Sequence, residues 1–296
     1  MNLRTLKYLI ALAEHQHFGR AAKASYVSQP TLSMQVKKLE EELGVQLLER
    51  TNKSVLLTSI GKKLADQART IVQLTDELKK TARLEKNPYE GELRIGLIPT
   101  VAPYLLPHII PMLNKKFPKL TLLLQEEKTE ALLTLLKHGQ IDVAIAAIDA
   151  LKTDFVEMPL YEESFLLAVS PQHKLASQKT VQLKDLENES LLLLTEGHCL
   201  RTQALDVCRH IKTAQQKNFQ ATSLETLRYM VASNVGVTLM PKLAAQKNDG
   251  IIYFPFAKKM PSRTIGMWWR KACAQENLLR EMAECVVQIS VPDSFI

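Results

Sequence analysis

The stretch Ser28-Gln29-Pro30-Thr31-Leu32-Ser33-Met34-Gln35-Val36-Lys37-Lys38-Leu39 decides the fold of the first third of the chain. Ser28 is placed to cap a helix, and Pro30 fits its first turn, where a missing N–H loses no partner. Leu32, Val36, Leu39 and Leu43 recur at the spacing of one helix face, and Gly44 ends the run. Gln29, Thr31, Ser33, Gln35, Lys37 and Lys38 fall away from that stripe. Working outward, Leu3, Leu6, Leu9, Ile10 and Ala13 predict a first amphipathic helix. Phe18, Ala21 and Ala22 predict a short second one, ending near Ser25-Tyr26-Val27. Helix, tight turn, helix with a polar, basic outer face is the helix-turn-helix arrangement, whose second helix enters the DNA major groove. Gln29, Thr31, Ser33 and Gln35 can hydrogen-bond base edges, while Lys37 and Lys38 suit phosphates. A small helical domain with a merely solvated face is the competing reading. Against it, Leu47-Leu48-Glu49-Arg50 and Val55-Leu56-Leu57 flank a turn at Thr51-Asn52-Lys53-Ser54. That predicts a basic-tipped hairpin, a wing, and adds Arg50 and Lys53 to the DNA-facing set.

From Thr58 the pattern becomes one long helix. Leu57, Leu64, Ile71 and Leu78 stand seven apart, and Ile60 and Leu74 fill the same seam. Such a seam predicts a short coiled coil and a helix-mediated dimer. A helix packed only on its own domain is the alternative, but Lys62, Lys63, Asp66, Gln73 and Asp76 elsewhere on it favour a linker. Asn87-Pro88 closes it. The expected organisation is therefore a DNA-binding head at 1–58, a linker and dimerisation helix at 59–88, and a third part at 89–296.

Charge divides the same way. The 296 residues carry a net +7, but residues 1–88 hold 15 Lys and Arg against 9 Asp and Glu, and the remainder 23 against 22. A basic head on a nearly neutral body is the electrostatic footprint of nucleic-acid binding. An apolar content of 46% supports well-filled cores. No apolar run reaches the length of a membrane span, and Met-Asn-Leu-Arg-Thr-Leu-Lys lacks a signal-peptide pattern. With four cysteines, the chain reads as a cytoplasmic protein with reduced thiols. Neither a CxxC pair nor Cys/His zinc spacing occurs, so no metal or cofactor is expected.

After Pro88 the texture changes to alternating strands and helices. Strands are predicted at Leu93–Ile98, Leu120–Glu126 and Ile141–Ala146, and helices at Pro103–Phe117 and Thr129–His138. Further strands are expected at Phe165–Val169, Leu191–Leu194 and Val235–Met240, with a C-terminal helix from Glu276 to about Ile289. Repeats of this length imply a mostly parallel sheet covered on both faces. The fold class is α/β, with two subdomains and a cleft between them: subdomain I at 89–161 and 268–296, subdomain II at 162–267. Thr100 and Thr129 each follow a strand and precede a helix, where open α/β sheets bind ligands. Two converging hydroxyls there can hold something small and polar, or can simply cap their helices.

The second stretch of interest is Gly197-His198-Cys199-Leu200-Arg201, followed by Cys208. The residues between the cysteines contain no Gly or Pro and read as helical. Nine residues of helix rise about 13.5 Å and turn through about 900°, which sets the thiols on opposite faces. A disulfide needs Cα atoms within about 7 Å, so bonding would take the helix apart. That makes the segment a candidate redox switch. Near the start of the helix, backbone dipoles favour a Cys199 thiolate; Arg201 and His198 add positive charge and Glu196 opposes it. Cys208, beside Val207, reads as a semi-buried thiol suited to resolving rather than attacking. Two unrelated core cysteines are the plain alternative.

Phe18-Gly19-Arg20-Ala21-Ala22, Ser28-Gln29-Pro30-Thr31-Leu32-Ser33, Leu39-Glu40-Glu41-Glu42-Leu43-Gly44 and Leu48-Glu49-Arg50 together resemble the winged helix-turn-helix of LysR-type transcriptional regulators. The likeness continues through Thr58-Ser59-Ile60-Gly61 into the linker helix. It implies that residues after 88 form a periplasmic-binding-protein-like effector domain. Ile98-Pro99-Thr100-Val101, Pro103-Tyr104-Leu105-Leu106-Pro107, Thr129, Gly197-His198-Cys199-Leu200-Arg201, Cys208 and Ala221 to Arg228 further resemble the hydrogen-peroxide-sensing branch of that family. By that resemblance Cys199 is the peroxide-reacting thiol, Cys208 its disulfide partner, and Thr100, Thr129, His198 and Arg201 shape the peroxide pocket. It also implies duplex DNA, a homodimer or homotetramer, RNA polymerase and cellular thiol reductants as partners, in a regulator rather than an enzyme. Cys273 and Cys285 lie outside the pattern and read as packing residues. Two rivals are a LysR-type regulator that binds a small organic effector in the cleft and a thiol peroxidase, which has no use for residues 1–88.

Overall fold

A computed structural model of the chain describes residues 1–50, 55–84, 87, 89–148, 154–178, 180–209, 214–215, 221–257 and 260–288. They divide into two compact units, one spanning Met1–Lys86 with Lys137–Gly139 and the other the rest.

In the first unit α1 (Leu3–His15) opens on Asn2, whose Oδ1 accepts from Thr5 N at 2.9 Å. α2 (Phe18–Ala24) opens on His17, whose Nδ1 accepts from Gly19 N at 3.0 Å. α3 (Gln29–Leu43) opens on Ser28, whose Oγ accepts from Thr31 N at 3.3 Å, and closes on Gly44 in the left-handed region at φ +67°. Leu6, Leu9 and Leu12 of α1 meet Leu32, Val36 and Leu39 of α3 in one buried cluster. β1 (Leu48–Arg50) and β2 (Val55–Leu57) pair antiparallel as the expected wing, with Leu48 opposite Leu57. Lys53 lies outside the described residues.

α4 (Ser59–Leu84) starts where the wing ends. Thr58 donates its hydroxyl to Gln46 O at 2.9 Å and accepts from Gly61 N at 2.9 Å. A Cβ at Gly61 would lie 2.1 Å from Leu47 O, so only glycine permits this approach. Leu57 corrects the expected seam. It sits in β2, not on the helix, and is buried in the head's own core, where Leu64 also packs. Among the described residues, the large apolar side chains that α4 leaves exposed are Ile60, Ile71, Leu74 and Leu78.

The second unit runs β3 (Gly91–Leu97), α5 (Ala102–Lys116), β4 (Leu120–Glu126), α6 (Thr129–Lys137), β5 (Val143–Ala147) and β6 (Phe155–Val169). It continues with β7 (Ser190–Leu191), α7 (Cys199–Val207), β8 (Ala214–Gln215), α8 (Leu224–Ala232), β9 (Thr238–Pro241), β10 (Ile252–Phe254), β11 (Ser262–Arg270) and α9 (Glu276–Gln288). Its main sheet has the order β10-β6-β11-β5-β3-β4, with β9 also on β6. Among the described residues of this sheet only β3–β4 and β3–β5 are parallel; β11 runs antiparallel to β5 and β6, and β6 antiparallel to β9 and β10. The expectation of a mostly parallel sheet is therefore corrected. The reason is that β6, paired along its length with β11, is a long strand serving two cores at once. Leu160 of β6 and Ile265, Met267, Trp268 and Trp269 of β11 belong to a core with β3, β5, α5 and α9, whereas Phe165, Leu167, Ala168 and Val169 of β6 belong to another with α7, α8 and β9. Among the described residues no helix is long and apolar enough to cross a membrane.

Candidate functional site

The segment from Leu194 to Cys208 joins the two cores. Gly197 adopts φ +87°, turning the chain into α7, and His198 is the N-cap. Cys199 is thus the first residue of the helix the sequence predicts between the two cysteines, and Cys208 is its C-cap. Leu200, Ala204 and Cys208 are buried in the second core, while Cys199 is half-buried and packs against the first. The two cysteines are not joined in a disulfide. Cys208 is more enclosed than expected, 4% exposed, and burial pushes its thiol up to about 11. It is held as a neutral SH.

Cys199 has a different environment. Arg263 of β11 is buried, with Nε donating to Glu163 Oε2 at 2.8 Å and Nη2 2.7 Å from the same oxygen. Burial opposes the guanidinium charge, but the Glu163 carboxylate and then the Cys199 thiol hold it above its usual range. The Cys199 sulfur is thus within electrostatic reach of a buried guanidinium, the kind of setting in which reactive cysteines occur. Glu163 Oε1 also accepts from Leu243 N at 3.1 Å, which fixes the carboxylate. Arg263 Nη1 donates to Thr100 Oγ1 at 3.0 Å and Nη2 to Thr100 O at 3.0 Å. Thr100 is therefore no helix cap: α5 is capped by Val101, without a side-chain bond. It positions the arginine.

Thr129 is the first residue of α6, and its Oγ1 is buried without a hydrogen-bond partner among the described residues, as is that of Thr195. Lys128, just before Thr129, donates to Glu196 O at 2.8 Å and lies along Gly197. His198 is buried, and burial, then the Lys128 ammonium, pull its imidazole below the usual range. It is neutral at pH 7, which corrects the expectation that it adds positive charge. Arg201 points back, with Nη1 donating to Leu194 O at 2.9 Å, and braces the turn into α7. Arg263 and Glu163 were missed by the sequence reading. The available signal was charge inside otherwise apolar strands, Arg263 ahead of Ile265-Gly266-Met267-Trp268-Trp269.

On the head, Ser28, Gln29, Pro30, Lys37 and Lys38 are exposed, and Thr31, Ser33 and Gln35 half-buried along α3. Ser28 Oγ and Thr31 Oγ1 are 2.7 Å apart, so part of their capacity goes to the cap. Arg50 ends β1 at the wing.

Residues 3–62 match the bacterial regulatory helix-turn-helix protein, lysR family, and residues 86–289 match the LysR substrate binding domain. The chain belongs to the LysR family of transcriptional regulators. Within it, the chain is 48% identical to the DNA-binding transcriptional dual regulator OxyR of Escherichia coli K12 over 289 residues, 97% of this chain and 95% of that protein. A full-length OxyR variant of Pseudomonas aeruginosa superposes with TM-score 0.79 at 36% identity, covering 98% of this chain and 96% of that one. OxyR solved in its reduced form matches with TM-score 0.64 and 43% identity over 70% of this chain and 98% of that one. The oxidised form gives 0.62 and 45% over 67% and 95%.

Proposed function

We propose that this chain is a cytoplasmic regulator that senses hydrogen peroxide through a reversible Cys199–Cys208 disulfide and thereby controls oxidative-stress genes. The observation that carries the reading is the placement of the two thiols. They stand at opposite ends of α7, the reactive one beside Arg263 and the other sealed as a neutral SH. In this reading the Cys199 thiolate attacks one peroxide oxygen, the O–O bond breaks, and hydroxide leaves. The resulting sulfenic acid condenses with the Cys208 thiol, releasing water. Because about 13.5 Å of helix separates the two residues, the bond forms only if α7 unwinds. Unwinding removes Leu200 and Ala204 from the second core, and the repacked surface changes how subunits associate.

The organisation we assign is a head at 1–58, a linker at 59–88 and a sensor at 89–296, its subdomains I (89–161 and 268–296) and II (162–267) sharing β6 and β11. The exposed Ile60, Ile71, Leu74 and Leu78 form the dimer seam; dimers pair into tetramers, contact RNA polymerase and are reset by cellular thiols. Gln29, Thr31, Ser33 and Gln35 read bases, while Lys37, Lys38, Arg50 and Lys53 neutralise phosphates. Thr100, Thr129, His198 and Arg201 shape the peroxide pocket, with Thr129 Oγ1 offering the unused hydrogen bond. The test is thiol mass spectrometry and hydrogen exchange after stoichiometric peroxide. A Cys199–Cys208 bond with a sharp rise in exchange across 199–208, absent in Cys208→Ser, is expected. A bond that forms with exchange unchanged would sink the mechanism.

A further inference from the structure

We propose that Lys116 and Cys285 form a second oxidation site, at which peroxide converts the Cys285 thiol to a sulfenic acid that closes onto Lys116 as a sulfur–nitrogen bond. Cys285 lies on the buried face of α9 with Leu278, Leu279 and Met282, the setting of an ordinary packing cysteine. What sets it apart is an ammonium: Lys116 Nζ donates to Cys285 Sγ at 3.1 Å. The lysine is the last residue of α5 and is held on two further sides. Its Nζ lies 5.4 Å from the centre of the Phe117 ring and 3.8 Å from Glu281 Oε2. Glu281 in turn accepts from Tyr89 OH at 2.5 Å, and the Tyr89 ring stacks on Phe117 at 5.8 Å. The amine is therefore pinned against the sulfur.

The thiolate is the form of a cysteine that peroxide oxidises, and here the sulfur has an amine 3.1 Å away. The thiolate attacks one peroxide oxygen and hydroxide leaves, so sulfur loses two electrons and peroxide gains them. Hydroxide takes a proton from the ammonium. The free amine then attacks sulfur, the S–O bond breaks, and the hydroxyl departs with an amine proton as water. The hydrogen bond to Cys285 is the main influence raising the lysine above its usual range, and it lapses once the sulfur is a neutral sulfenic acid. The product staples the end of α5 to the C-terminal helix.

This inference does not rest on the Cys199 reading, so the test uses the full-length protein carrying Cys199→Ser. After peroxide treatment and proteolysis, mass spectrometry is expected to find the peptides bearing Lys116 and Cys285 joined, lighter by two hydrogens than their sum, and released by dithiothreitol. Lys116→Arg keeps the charge but supplies no comparably nucleophilic amine. It is expected to abolish the joined peptide and raise dimedone trapping of Cys285 several-fold. Complete alkylation of Cys285 after peroxide, equal trapping in both proteins, or a joined peptide that retains oxygen would each overturn the proposal.

Discussion

Of the three arginines buried in the second unit, Arg228, Arg263 and Arg270, the surroundings of the first two differ in one respect. Arg228 of α8 meets two carboxylates: its Nε donates to Glu225 Oε2 at 3.1 Å and its Nη1 to Asp249, with Tyr253 OH accepting at 2.6 Å and Ala244 O completing the set. Arg263 meets one carboxylate, Glu163, and otherwise Thr100 and the Cys199 thiol. The first site is filled by permanent anions and is architectural. In the second, the other anion is a sulfur that becomes negative only on ionising. Similar geometry thus yields a brace in one place and an activator in the other.

The contrast breaks most visibly by removing each arginine. Arg228→Met strands Asp249 in a buried setting and is expected to lower stability by about 3–5 kcal/mol in urea unfolding, with Cys199 oxidation near the parent rate. Arg263→Gln is expected to lose comparable stability and, in addition, to slow Cys199 oxidation on the order of tenfold, about 1.4 kcal/mol in activation free energy. Stopped-flow rates that fall equally in both variants would erase the distinction.

The threonines sharpen it. Thr100→Val removes an acceptor from Arg263 and is expected to lower both stability and oxidation rate. Thr129→Val removes a buried hydroxyl without a partner, so oxidation is expected to slow while stability holds or rises by about 1 kcal/mol. Stability falling by the same amount in both would show that Thr129 is satisfied after all. The smallest effect is one of pH. Because burial raises the Cys208 thiol to about 11 from 9.0, its contribution to stability is complete below pH 9 and declines as pH rises toward 11. Cys208→Ser is expected to flatten that alkaline decline in urea titrations.

Much of this was legible in the sequence where contacts are local. The stripe Leu32, Val36, Leu39 with Ser28 and Gly44 gave α3 within a residue, and Leu120–Glu126 and the start of α9 at Glu276 were read as found. The sequence reading failed where distant partners decide. The heptad pattern ran through Leu57 because periodicity does not register the strand-to-helix boundary at Thr58. Phe165–Val169 was read as a short strand because Glu157, Pro159, Glu162 and Glu163 conceal the rest of β6. The cysteine pair announced itself through Gly197 and the helical run, but Arg263 became meaningful only when β11 brought it to Thr100 and Glu163.

The clasp at Gly61 has its own consequence for the promoters this chain reads. With the start of α4 pressed on Leu47 O and tied by Thr58 to Gln46, wing and helix move as one piece. A reader built that way has a single alphabet. In the proposed mechanism, redox chemistry elsewhere alters the distance between two such readers but not the letters either one accepts. On the dimer proposed above, operators for the reduced and oxidised protein are then expected in the same half-site words, differing in the length of the gap.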